Sequence, residues 1–126
     1  LSGETKPDVV LEIDWKGDLR FGDERMLLDG DGVAGPSPVQ ALGFSLAGCM
    51  AADLVEILRK GRLPLRSLHV SFRGERAATE PRRLVQVALH FRIEGEVPED
   101  RVERAIALSR ERYCSVLHSL RSDLVL

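Results

Sequence analysis

The chain has no excess of positive charge, almost no cysteine, and one long interval with no charge at all. Lysine and arginine number 18 against 20 aspartates and glutamates, for a formal net charge of −2. A basic face that could neutralise a phosphate backbone is therefore not expected, nor is a nucleic-acid partner. Two cysteines are too few for a disulfide framework, which points to a cytoplasmic protein. The opening LSGETKPDVV is polar with a proline, so no signal segment is expected there, and the start without Met suggests that terminal residues are missing. The three histidines and two cysteines contain no HxxxH or CxxC spacing, so the sequence assigns no metal and no cofactor. No internal repeat or low-complexity tract is present. At 126 residues, 44% apolar and 30% charged, a single soluble domain is expected.

The uncharged interval runs from Gly32 to Ala52 and contains the stretch around which the chain is organised. Ser37 and Pro38 suit an N-cap and first helical turn, and Gly61 suits the stop, so a helix is expected over 37–60. Its centre is apolar or small on every side, so it must be buried on every side. A membrane span is the competing reading. It fails because a Gly/Pro loop lies at its front and Asp53 and Glu56 fall inside any helix long enough to cross. Gly43, Ala47 and Ala51 recur every fourth residue and offer a flat face for close packing.

Alternation of apolar and polar residues predicts strands before and after this helix. Val9, Leu11, Ile13 and Trp15 face one way; shorter strands are expected at 19–21 and 25–28, giving an N-terminal meander over 9–29. A hairpin is expected over 66–95, with Leu68, Val70 and Phe72 inward on one strand and Val85, Val87, Leu89, Phe91 and Ile93 on the other. Pro98-Glu99-Asp100 opens C-terminal helices over 98–121, with Val102, Ala105, Ile106, Ser109 and Tyr113 as the apolar stripe, and Ser115 capping a short last helix. A final strand begins at Asp123. The class is α+β, a long central helix wrapped by antiparallel sheet. One sheet covers one side of such a helix, so a second copy of the chain is expected to cover the other.

Three groups of residues carry possible chemistry. Cys49 in the helix and Cys114 near the end could be inert core residues, or a pair in which one thiolate attacks a peroxide and the other resolves the sulfenic acid. Asp53, one turn from Cys49, is a like charge to a thiolate and calls for an offsetting cation; with Glu56 it forms a carboxylate pair where the helix exits to solvent, a weak acid/base signal. His69 and His90 sit on outward faces, where solvation is the simple reading. Cys114 with His118 at i+4 has no third residue to orient a base.

GPSPVQALGFSLAGCMAADLVEILRKGR, followed at this separation by ERYCSVLHSL, resembles the OsmC/Ohr family of osmotically inducible and organic-hydroperoxide-resistance proteins, and within it the YhfA-type branch. The resemblance implies an intertwined homodimer with two central helices enclosed by two sheets. It also implies a thiol-dependent peroxidase acting on small organic hydroperoxides, with Cys49 peroxidatic, Cys114 resolving and an external dithiol as reductant. Members carry a glutamate after the helix-opening proline; here Val39 and then Gln40 stand there. They also hold the thiolate with an arginine from the N-terminal strands, for which Lys16, Arg20 and Arg25 are the candidates. Two other readings stay open: a non-catalytic redox-sensing or small-ligand-binding dimer, and a hotdog-type acyl thioesterase using Asp53 or Glu56.

Overall fold

A computed structural model describes residues 8–15 and 26–126. Its elements in chain order are β1 (Val9–Trp15), α1 (Pro38–Lys60), β2 (Leu65–Arg76), β3 (Leu84–Gly95), α2 (Glu99–Leu108), a π turn (Ser109–Tyr113) and α3 (Ser115–His118). The strands form one antiparallel sheet in the order β1-β2-β3. Strand alternation is as the sequence predicts: Val9, Leu11, Leu68, Val70, Phe72 and Val87 are buried on one face. The expected strands are found at β1 and in the hairpin; of the strand expected at 25–28, the described residues 26–28 form none. Met26, Leu27 and Leu28 have no regular structure and are exposed. The strand expected at 19–21 lies outside the described residues.

Helix α1 starts where its capping chemistry begins. The Ser37 hydroxyl accepts from the Gln40 amide at 3.2 Å, and Gln40 Oε1 accepts from the Ser37 amide at 2.8 Å, a reciprocal box that satisfies two end groups. Ahead of it, the Asp29 carboxylate gathers the amides of Asp31, Val33 and Ala34. The Ala34 amide, with its two neighbours, holds that carboxyl below the usual range. At the far end Gly61 is the C-cap, but the left-handed residue is Arg62, with φ +57°. The Leu63 amide reaches the Leu58 carbonyl at 3.1 Å and the Arg62 amide the Arg59 carbonyl at 2.9 Å, a Schellman closure.

The helix lies across β1 and β2, and a glycine sets the approach. A Cβ on Gly43 would come within 2.8 Å of Leu11 Cδ1 and 3.1 Å of Phe72 Cζ, so a larger residue fits only if those two side chains give way. α2 packs beside α1. The chain end adds a parallel bridge from Val125 to Gln86 at the free edge of β3, so the last strand expected from Asp123 is reduced to a bridge.

Among the described residues, none covers one side of α1. Leu42 and Phe44 are 39% and 36% exposed, Ser45 is exposed, and a Cβ on Gly48 would meet nothing within 4 Å. Leu89, Phe91 and Ile93 of β3 are only half-buried. By length and hydropathy α1 could cross a membrane, yet half of the relevant window is buried in the chain. Its packing on an antiparallel sheet is that of a core helix in an α+β domain.

The outward face of the sheet departs from the simple reading of His69. Its Nδ1 contacts Asp14 Oδ1 at 2.7 Å and its Nε2 contacts Glu12 Oε2. Two ionised carboxylates can both accept only from a ring that donates from both nitrogens, so this pairing favours the imidazolium form. Asp14 first, then Glu12, raise the His69 pKa above its ordinary value. Its stabilising contribution is therefore complete below the unfolded value and is lost as pH rises through the raised folded value. Glu12, lowered chiefly by the Ser71 hydroxyl, contributes above the ordinary carboxylate range and loses that as pH falls. The stability difference between wild type and His69→Gln should shrink as pH rises above the ordinary histidine range in denaturant titrations; a difference that grows with pH would contradict the pairing of His69 with Asp14 and Glu12.

Candidate active site

Cys49 and Asp53 stand one turn apart on α1, on the side facing the π turn and α3. Helical spacing of four puts their side chains next to each other, and the C-terminal segment brings Cys114 to the same point. Cys49 Sγ, Cys114 Sγ and an Asp53 carboxylate oxygen all lie within 4.8 Å of one another. Both cysteines are free thiols; Cys49 is half-buried and Cys114 fully buried.

Ser109 ties the cluster together. It is fully buried, its hydroxyl donates to Asp53 Oδ2 at 2.8 Å, and its carbonyl accepts from the Cys114 amide at 2.8 Å. That second bond spans five residues and defines the π turn, a widened turn often found at functional sites. The Cys114 sulfur then caps α3, accepting from the Leu117 amide at 3.4 Å, so the cap is Cys114 and not Ser115. Ser115 instead places its hydroxyl 3.8 Å from Cys49 Sγ.

The two thiols are not equivalent. Burial pushes the Cys114 thiol up to about 11, with neighbouring Cys49 and Asp53 acting in the same direction against the Leu117 amide. Cys114 therefore keeps its proton at neutral pH, while Cys49 is the sulfur with access to solvent. A cleft of about 450 Å³ adjoins the cluster at Asp53, walled by Ile57, Leu108 and Tyr113 with Glu56 and Lys60 at its rim; those last two form an ion pair at 3.0 Å.

The remaining sequence candidates fall elsewhere. Gln40 is occupied in the N-terminal capping box, nine residues and about 13 Å along the axis from Cys49. Arg20 and Arg25, like Lys16, lie outside the described residues. His118 contacts the Arg110 carbonyl at 3.1 Å and does not pair with Cys114. His90 is exposed on the outer face of β3, and Tyr113, expected in the apolar stripe, is 52% exposed. Sequence reasoning missed Ser109 and Ser115. A serine inside an otherwise apolar stripe was the available sign for Ser109, because a buried hydroxyl needs a partner.

Comparison with known proteins agrees with this architecture. A family model described as OsmC-like protein matches residues 29–126. Protein YhfA of Escherichia coli (strain K12) is 38% identical over 94 residues, covering 73% of this chain and 70% of its own. A crystal structure of a hypothetical protein from Aquifex aeolicus VF5 superposes with a TM-score of 0.70 at 29% identity, covering 73% of this chain and 70% of that one. An OsmC-like protein from Mycoplasma pneumoniae shares the fold at a TM-score of 0.68 and 20% identity, over 94% of this chain and 89% of that one.

Proposed function

This chain belongs to the OsmC-like protein family, and from that premise we propose that it is a cytoplasmic thiol peroxidase for organic hydroperoxides. The observation that carries the reading is the convergence of two free thiols from distant parts of the chain. The Cys49 thiolate attacks the outer oxygen of ROOH. The O–O bond breaks, the alkoxide takes up the proton that Cys49 released, and the products are Cys49 sulfenic acid and ROH. The buried Cys114 thiol then attacks the sulfenic sulfur; an S–S bond forms and water leaves with the Cys114 proton. Closing to the usual S–S length requires the sulfurs to approach by less than about 3 Å. An external dithiol reduces the bridge and becomes a disulfide itself. The apolar wall of Ile57, Leu108 and Tyr113 suits the organic part of the substrate.

The active form on this reading is a homodimer. The uncovered side of α1, with Leu42, Phe44, Ser45 and Gly48, is apolar or small and adjoins Cys49, so a second α1 can pack there closely. Sedimentation equilibrium should give twice the 14.0 kDa of one chain. Leu42→Arg places an unpaired charge in that contact and should weaken dimerisation by at least about 100-fold. A wild-type chain that sediments as a monomer at micromolar concentration would overturn the dimer.

A second reading, oxidation sensing without efficient turnover, is favoured by one observation: among the described residues no basic side chain forms an ion pair with Asp53. Stopped-flow mixing of reduced protein with cumene hydroperoxide separates the two. Fast loss of both thiols into one intramolecular disulfide supports the peroxidase; oxidation no faster than that of free cysteine removes it. In the peroxidase, Arg20 or Arg25 supplies the offsetting cation.

A further inference from the structure

The thiol pair is accompanied by a carboxylate, and the three donors together have the chemistry of a metal site. We propose that reduced Cys49 and Cys114, with Asp53, bind one thiophilic divalent cation per chain, of the zinc class. Two sulfurs and one carboxylate oxygen already lie within 4.8 Å of one another. Tetrahedral zinc, with Zn–S near 2.3 Å and Zn–O near 2.1 Å, sets donors about 3.5–3.8 Å apart. Contraction by about an ångström completes the set, a shift within the range of side-chain rotation. Thiolate ligands select zinc over magnesium or calcium.

Three further features of the site fit a cation. Asp53 is oriented by the buried Ser109 hydroxyl through Oδ2, the outer hydrogen bond that metal-binding carboxylates generally receive. The Ser115 hydroxyl, 3.8 Å from Cys49 Sγ, or solvent can fill a fourth position. Binding displaces the thiol protons; the three donors then carry three negative charges, of which a divalent ion neutralises two, and among the described residues no ion pair to Asp53 competes with it. Cys49 and Asp53 supply the i, i+4 ligand spacing on one helix face, and Cys114 comes from a distant segment, which is why no short motif marks the site. Metal and disulfide use the same sulfurs and exclude each other, so occupancy shields the thiols until the ion leaves. The inference stands on the donor geometry and does not depend on peroxidase turnover.

The test uses the full chain, reduced, chelator-treated and anaerobic, titrated with cobalt(II) chloride. The expected result is one equivalent bound, with the visible bands of tetrahedral cobalt, thiolate charge-transfer absorption and displacement by zinc. The disulfide form should show none of these. Cys49→Ser and Cys114→Ser should each lose at least about 100-fold in affinity. Ser109→Ala, which leaves all three ligands in place, should lose about 10-fold, with circular dichroism checking its fold. Absence of saturable cobalt binding by protein with both thiols reduced overturns the proposal. So does binding unchanged by Asp53→Asn, or an affinity for the disulfide form equal to that of the reduced form. Hydroperoxide turnover is measured separately on metal-free protein, so its failure and the failure of metal binding are read independently.

Discussion

Replacing Cys49 with serine is expected to lower hydroperoxide reduction by at least about 10³-fold, the scale of loss when a catalytic nucleophile is removed. Cys114→Ser should behave differently. Its first oxidation proceeds, one equivalent of alcohol appears, and the sulfenic acid on Cys49 persists long enough to be trapped by dimedone. Steady-state turnover then falls by about two orders of magnitude, because nothing within reach condenses with the sulfenic sulfur. The asymmetry follows from burial. Cys114 is fully buried with its thiol pushed up to about 11, so it holds a proton and cannot substitute as attacker near neutrality. Equal loss of the first oxidation step in both variants would refute these roles. Dimedone labelling of Cys114 in the Cys49→Ser protein at the wild-type rate would reverse them.

Phe72→Ala should be the most damaging single change to stability outside the site. Phe72 is fully buried on β2, pairs in register with Leu11 on one side and Leu89 on the other, and touches the position where Gly43 brings α1 onto the sheet. Losing a buried phenyl ring costs about 3–5 kcal/mol, a large share of a total of about 5–15 kcal/mol. The midpoint of thermal unfolding should fall by roughly 10–20 °C at fixed protein concentration. Gly43→Ala alone should destabilise by about 1–3 kcal/mol through overpacking. The double variant should cost less than the sum, since the new methyl group enters space the ring vacated. Strict additivity would mean that the two residues do not share that space.

Much of this architecture could be read from residue order. The central helix is set by local chemistry: Ser37, Pro38 and an uninterrupted apolar run before Gly61. The hairpin is set by period-two alternation that places Val70 opposite Phe91. The two cysteines stood out because the chain has no others. Features fixed through space were not legible. Residues 26–28 form no strand, and the loop after them is ordered by the Asp29 carboxylate, which satisfies the amides of Asp31, Val33 and Ala34, an arrangement that alternation does not report. Arg62, not Gly61, takes the left-handed position, because the closure is counted from the last helical carbonyls rather than from residue type. His69 was read as solvated because its partners Glu12 and Asp14 lie on another strand. The bond from Ser109 to Asp53 joins residues 56 apart in sequence, and no local pattern encodes it.

The π turn also makes the site sensitive to insertion and deletion. Because the Cys114 amide reaches back to Ser109, the carbonyl of Arg110 is left over, and His118 takes it up. Removing one residue between these points would tighten the coil to ordinary pitch and swing the sulfur about 100° around the axis, away from its partner. Of the exposed side chains in this turn, Arg110 donates to the Leu126 carbonyl at 2.8 Å and Arg112 lies over the Tyr113 ring. What this segment transmits to the chemistry is a count of peptide units, so it acts as a ruler whose markings matter less than its length.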